Sequence, residues 1–376
     1  MKYRLECAVW EITLKCNLNC IHCGSCAGEK REKELSREEA LKLCEDLKEA
    51  GCLSVALMGG EPLLRPDFWD IAEKVRALGM DLSVITNGTI YKEEYFKKLA
   101  ELKPRAVAVS IDGAKKETHE KIRGSIGCWE KSWKFINRAI EEKLPVSLIT
   151  TVSKINISQL KDLSDMIKGK NIAWQIQTAG SEGERFPKEY LLSREEFYAV
   201  GVFIDWLRKN YTPDIMPVIG AHDLGYYSAF LGDLSVYGQW PGCQAGKTVI
   251  GIRSSGDVLP CLSLNDSNFI VANALDRRIK DIWNDDKIFA PFRNFKKEDA
   301  GENCRSCDKL EECMGGCCEM SLMKTGKTRN DFYCFRKIEK DSAQNAIDKI
   351  KLKLAEFKNK KNLNVERLRK IFLGER

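Results

Sequence analysis

The sequence predicts an α/β fold: a partial (β/α)6 barrel of the TIM type, followed by a small cysteine-rich domain. Three observations predict it. Six short β-branched runs alternate with amphipathic helical runs between Ala8 and Ala179. Each β run is nearly continuous in apolar residues, as parallel strands covered on both faces are. Most of the sixteen cysteines gather in two tight groups, one near the N-terminus and one after residue 240. Repeated β-then-α units build a parallel barrel or partial barrel, whose chemistry sits at the C-terminal ends of the strands.

The chain begins with MKYRLECAVWEITLKC, which lacks the basic-then-apolar pattern of a secretory signal and reads as an immediate first strand, AVWEITL at 8–14. LSREEALKLCEDLKEAG follows; Ser36 is the expected N-cap, Glu39 completes a capping box, and Gly51 ends the helix. The next strands are SVALMGG (54–60), DLSVITN (81–87), AVAVSID (106–112), VSLITTVS (146–153) and IAWQIQT (172–178). Helices fit PDFWDIAEKVRALG, YKEEYFKKLAELK, GCWEKSWKFINRAIEEK and NISQLKDLSDMIK between and after them. Residues 180–240 are less regular: a SEGERFPKEY loop, a helix from Ser193 to about Asn210, and the aromatic stretch HDLGYYSAFLGDLSVYGQW. The expected division is a barrel over 1–210, a bridge over 211–240, a cysteine-rich domain over 241–337 and a Lys/Glu helix over 338–376, read as a solvated cap.

Charged residues at 31% and hydrophobic ones at 43% are ordinary for a globular protein. No run of eighteen apolar residues exists, so no membrane span is expected. The net charge of +6 comes with scattered lysines, which does not imply nucleic acid as a partner. With no export signal the chain is placed in the cytoplasm, a reducing compartment where clustered thiols bind metal rather than form a disulfide framework.

The chemistry is concentrated in LKCNLNCIHCGSCAG, where Cys16-x3-Cys20-x2-Cys23 competes with Cys20-x2-Cys23-x2-Cys26. The first register lies just after the first strand, at the catalytic mouth of a barrel. Three cysteines on one short loop can hold three irons of a [4Fe–4S] cluster and leave the fourth open. The second register suits a ferredoxin-like carrier, which needs no barrel, so Cys26 is set aside. A zinc knuckle using His22 is the competing metal site.

The first register resembles the signature of the radical S-adenosylmethionine (SAM) superfamily, C-x3-C-x-aromatic-C, with His22 in the slot that packs against adenine. Further matches follow in the family's order. Gly59-Gly60-Glu61-Pro62 ends the second strand, in the segment that receives the SAM amino group, with glycines that let backbone approach a ligand closely. Thr86-Asn87-Gly88 ends the third strand. Ser110 and Asp112 end the fourth, where polar side chains can reach a ribose or merely cap the loop. Arg123 in KIRG resembles the arginine that pairs with the SAM carboxylate.

The second group resembles the SPASM domain of radical SAM peptide modifiers. Cys243 is followed by twelve residues, Gly256, four residues and Cys261; then come Cys304-x2-Cys307-x5-Cys313-x3-Cys317 and Cys334. The resemblance assigns Cys304, Cys307, Cys313 and Cys334 to one auxiliary [4Fe–4S] cluster and Cys243, Cys261 and Cys317 to another, three clusters in all. The second set is one ligand short, since the span before Cys243, LSVYGQWPG, has no cysteine. Either an iron is open to substrate, which is preferred, or Cys318, Cys128 or another residue completes the shell. Cys7, Cys44, Cys52 and Cys128 are expected in the core, His119 on a helix surface, and His222 beside Asp223 as a candidate acid or base.

The resemblance implies an enzyme that cleaves SAM reductively to a 5′-deoxyadenosyl radical and oxidatively modifies a peptide, for example by a thioether or other cross-link. It implies a reductant such as a flavodoxin or ferredoxin. Only fifteen residues precede Cys16, so no leader-recognition domain is expected before the barrel; leader recognition then falls to a separate leader-recognition protein, to the 180–240 stretch or to the tail, or does not occur. Anaerobic sulfatase maturation is the runner-up, disfavoured because Leu262, not an acid, follows Cys261. A small-molecule radical SAM dehydrogenase and a plain iron–sulfur electron carrier are the competing functional classes.

Overall fold

The computed structural model describes residues 3–180, 185–222, 224, 227–232, 234 and 240–358. Parts of the SEGERFPKEY loop and of the aromatic stretch, including Asp223, and the end of the Lys/Glu tail lie outside the described residues.

The six expected strands form β1 (Cys7–Thr13), β2 (Ser54–Gly59), β3 (Asp81–Thr86), β4 (Ala106–Ser110), β5 (Val146–Val152) and β6 (Ala173–Thr178). They pair in chain order, each parallel to the next, with Ala8 opposite Val55 and Val55 opposite Leu82. Four short strands extend this sheet: β7 (Val218–Gly220), β8 (Val249–Ile252), β9 (Asp257–Leu259) and β10 (Ala272–Asn273). β7 adds parallel to β6, β8 adds parallel to β1, and β9 and β10 follow antiparallel. The order β10-β9-β8-β1-β2-β3-β4-β5-β6-β7 leaves two ends, so the barrel is partial. The cysteine-rich segment thus contributes a strand hydrogen-bonded directly to β1. Runs of two to four residues carry too little pattern to announce themselves; β7 and β8 are held by the edges they extend.

The helices are α1 (Arg37–Glu49), α2 (Phe68–Ala77), α3 (Glu93–Leu102), α4 (Lys116–Arg123), α5 (Cys128–Glu141), α6 (Leu160–Ile167) and α7 (Arg194–Asn210). α1 and α7 start on full capping boxes, Ser36 with Glu39 and Ser193 with Glu196. Past the sheet come α8 (Ile279–Asn284), α9 (Ala290–Arg293), α10 (Leu310–Cys313), α11 (Cys318–Thr325) and α12 (Phe335–Lys358). α12 is anchored at its start, where Phe335 and Ile338 are buried and Asp341 pairs with Arg194 at 2.8 Å, and is exposed over 342–348, as expected of a solvated cap.

One main core runs through the sheet and its helices, from Leu5 and Trp10 to Trp174, Trp283 and Phe335. Cys44, Cys52 and Cys128 are buried as expected. His119 is not on the surface: α4 turns it inward, and its Nδ1 accepts the Asp112 backbone N–H at 3.1 Å. Burial, with the Arg123 cation nearby, lowers its pKa to about 4. No helix among the described residues is long and apolar enough to cross a membrane.

Candidate functional site

The loop after β1 carries Cys16, Cys20 and Cys23 at the C-terminal edge of the parallel strands. Glu34 anchors its root, accepting from Thr13 Oγ1 at 2.9 Å and from the Leu14 N–H at 2.7 Å. The Cys16 N–H donates to the Gly28 carbonyl at 2.7 Å. Further along, the Asn19 and Ile21 N–H groups donate to the carbonyls of Arg123 and Ile122, at 3.2 and 2.9 Å. Each thiol faces an N–H: Leu18 for Cys16 at 3.4 Å, Ala27 for Cys23 at 3.3 Å and Arg123 Nη1 for Cys20 at 3.7 Å. Burial pushes the Cys16 thiol up to about 11 and raises that of Cys20.

Behind this loop sits Glu61, fully buried between β2 and β3. Its carboxylate accepts from Thr86 Oγ1 at 2.8 Å, the Asn87 N–H at 2.8 Å and the Leu63 N–H at 3.1 Å. Burial raises its pKa to about 7 against those three donors. Asn87 Nδ2 donates to Asn17 Oδ1 at 3.0 Å and lies 4.0 Å from Cys16 Sγ. The glycines before Glu61 are required by the chain itself. A Cβ on Gly59 would lie 2.3 Å from the Thr13 oxygen, and one on Gly60 would lie 2.3 Å from that of Lys15. Both glycines thus let the end of β2 lie close against the backbone of Thr13 to Lys15. Pro62 opens a single 3₁₀ turn that aims Glu61 inward.

Asp112, read from the sequence as reaching a ribose or capping the loop, is wholly buried. Its Oδ2 meets His22 Nε2 at 2.8 Å and Arg123 Nε at 2.7 Å, and its Oδ1 accepts from the Thr151 N–H at 2.9 Å. Burial alone would raise its pKa, but Arg123 and His22 hold it well below the usual carboxylate range. The sequence places these residues on three separate segments; the fold joins them into one buried network that ends on Cys20. Ser110 stays half-buried at the end of β4.

Two further cysteine groups lie in the second half. Cys304, Cys307, Cys313 and Cys334 all line one cavity of about 200 Å³, together with Asp331 and Arg336. The Asp331 N–H faces Cys304 Sγ at 3.3 Å, and the Lys309 N–H faces Cys307 Sγ at 3.4 Å. Burial pushes Cys304 up to about 11 and Cys334 to about 12. In the other group the Cys243 thiol is hydrogen-bonded to those of Cys317 and Cys318, and burial, with Glu319 near, pushes Cys261 up to about 12. Cys318 is therefore beside the set despite following Cys317 directly. Cys128 is elsewhere, packed against Cys20.

Residues 10–167 match the model of the Radical SAM superfamily, and residues 243–308 match that of the SPASM iron-sulfur cluster-binding domain. This chain is a radical SAM enzyme with a SPASM domain. Mycofactocin maturase MftC of Mycobacterium tuberculosis is 26% identical over 313 residues, covering 83% of this chain and 78% of that protein. Fe-coproporphyrin III synthase of Methanosarcina barkeri is 28% identical over 334 residues, covering 82% of each. Streptococcus suis SuiB bound to precursor peptide SuiA shares the fold at a TM-score of 0.71, with 21% identity over 89% of this chain and 76% of SuiB.

The cofactors of a radical SAM SPASM enzyme are SAM and more than one [4Fe–4S] cluster. The donor sets fit them: burial makes Cys16, Cys20, Cys304 and Cys334 costly to ionise, several thiols face an N–H that would stabilise a thiolate, and four thiols line one cavity. The sequence did not single out Glu34, nor Arg185, whose guanidinium ties the cluster loop through Asn19 Oδ1 and the Cys26 and Ala27 carbonyls. Neither sits in a recognisable motif; their roles come from chain segments that meet only in the fold.

Proposed function

We propose that this enzyme uses SAM to modify a peptide oxidatively, forming a cross-link on a side chain. The site assignments and domain limits drawn from the sequence form part of that proposal. Cys16, Cys20 and Cys23 would hold the SAM-binding cluster; Cys304, Cys307, Cys313 and Cys334 one auxiliary cluster; and Cys243, Cys261 and Cys317 the other. One observation carries the reading: β8, which leads from Cys243 to Cys261, hydrogen-bonds along β1, the strand that delivers Cys16. The segments that carry Cys16, Cys243 and Cys261 thus flank neighbouring strands of one sheet.

When bound and reduced, the SAM-ligated cluster supplies a 5′-deoxyadenosyl radical able to take hydrogen from an unactivated C–H bond. The chain's own part is positional. Asp112 orients His22 and Arg123, and Arg123 offers an N–H to the Cys20 sulfur, a contact that tunes a cluster. Glu61 locks the GGEP turn to Asn87. The parallel sheet closes one side of the site against water. That SuiB seats a precursor peptide on the same fold, and that MftC is a maturase, support a peptide substrate. A flavodoxin or ferredoxin as reductant, a separate leader-recognition protein and a cytoplasmic setting belong to the same reading.

The test is anaerobic reconstitution, an iron count, and incubation of the reduced enzyme with SAM and candidate precursor peptides. About twelve irons, 5′-deoxyadenosine, and peptide mass lowered by two hydrogens are expected. Changing Cys16, Cys20 and Cys23 together to Ala should abolish the nucleoside. The likeness to Fe-coproporphyrin III synthase favours a second reading, oxidation of a small molecule. Nucleoside formation stimulated by a tetrapyrrole and by no peptide would replace the first with the second.

A further inference from the structure

The auxiliary set Cys243, Cys261 and Cys317 is one donor short of four. We propose that Glu319 supplies that fourth donor, with His222 as the positioning residue that aims its carboxylate. The inference rests on the auxiliary-cluster part of the reading above, not on its peptide.

Cys317 is the N-cap of α11 and Glu319 is its second residue, so the thiol and the carboxylate leave the same helical turn. The donor atoms of Cys317, Glu319 and His222 all lie within 4.8 Å of one another. Glu319 Oε2 is shielded from solvent and sits 2.7 Å from His222 Nδ1. A carboxylate carries about four acceptor positions, so one imidazole leaves it capacity to bind a metal. His222 follows β7 with a φ of +57°, a left-handed conformation uncommon outside glycine. That turn, at the C-terminal end of a barrel strand, brings the ring across to α11. An imidazole hydrogen-bonded to a ligating carboxylate is a recurrent outer-shell arrangement that fixes ligand orientation.

The rival donors are less well placed. Cys318 packs with Ala245, Leu264 and Phe292 against Cys243 and Cys261, its thiol hydrogen-bonded to that of Cys243, but it adjoins Cys317, and two neighbouring residues seldom reach one cluster comfortably. Cys128 belongs to the neighbourhood of Cys20. An oxygen donor among thiolates is also the ligand a substrate sulfur could most readily displace, because iron in these clusters favours thiolate. Glu319 would then close the site at rest and yield it to substrate.

The test uses full-length protein with Cys16, Cys20 and Cys23 changed to Ala, reconstituted anaerobically with 57Fe and studied without SAM or peptide. The parent should hold about eight irons, with one Mössbauer-distinct, oxygen-ligated iron. Glu319→Gln, which preserves volume, should lose that component. Glu319→Cys should retain about eight irons with an all-thiolate spectrum. His222→Ala should keep the iron and shift the electron paramagnetic resonance signal of this cluster alone. Unchanged spectra in Glu319→Gln would overturn the proposal, as would loss of the site in Cys318→Ala with Glu319→Gln intact. If Glu319→Gln loses a whole cluster, Glu319→Cys decides: iron restored supports a ligand, iron still lost overturns it. Failure of the intact enzyme to form 5′-deoxyadenosine would instead sink the radical-enzyme reading and leave these spectra untouched.

Discussion

At the barrel mouth, the loop carrying Cys16, Cys20 and Cys23 is held by groups other than cysteine: Glu34 at its root, the ends of α4 along its length, and Arg185 across its far side. Thiols join small apolar clusters at all three centres, Cys20 doing so with Leu18 and Cys128 at the barrel mouth. Cys304 forms a small buried cluster with Ala300 and Leu310, and Cys318 another with Ala245, Leu264 and Phe292. Helices there are short, four residues each in α9 and α10. On the proposed assignment, polar partners from distant segments hold the SAM-binding loop in place, whereas the auxiliary sites, set among short helices, would couple folding to metal binding.

The most widespread effect should therefore come from removing iron. Chelation under anaerobic conditions should raise tryptic cleavage within 295–334 about tenfold or more, a change above ~1.4 kcal/mol, while the segment 3–180 resists. Equal cleavage of both regions would break the contrast. Next, Asp112→Ala should cost ~3–5 kcal/mol, because it strands the buried Arg123 cation. Anaerobic urea unfolding reads the loss, and auxiliary iron content should not change. Gly60→Ala should cost about 1–3 kcal/mol by forcing apart the β1 and β2 ends, again without altering auxiliary iron.

The barrel mouth should also show its own pH dependence. Glu61, raised to about 7 from an ordinary 4.5, is protonated more readily folded than unfolded. Its contribution is therefore complete below pH 4.5 and is lost as pH rises to about 7. The slope is at most about 1.4 kcal/mol per pH unit in that window. Urea midpoints of the apo-protein across that range should fall for the wild type and flatten for Glu61→Gln; parallel curves would place the titration elsewhere. The smallest effect belongs to Ser36→Ala, which removes a cap far from every thiol and should cost about 1 kcal/mol in thermal or urea unfolding, with cofactor content unchanged.

The six parallel strands, the α1 capping box, the start of α7 at Ser193 and the grouping of thiols were legible because each is written in contiguous residues. Strand runs, cap pairs and cysteine spacings depend on local chemistry alone. β7 and β8 were not legible, because strands this short are stabilised by the sheet edges they join. His119 could not be placed on the inside from its helix, since what turns α4 is the Asp112 backbone N–H that its ring accepts.

The sequence by itself determined which residues are available for metal and SAM, since spacing on a loop or turn is a local property. Only the tertiary structure decided what each polar partner does. Asp112 serves His22 and Arg123 rather than solvent, Gly59 and Gly60 make room for β1, and Glu319 meets His222 beside Cys317. Those pairings join residues up to about a hundred positions apart. Such contacts exist only after the sheet has closed the loops between them, because loop closure costs entropy that no local pattern can report.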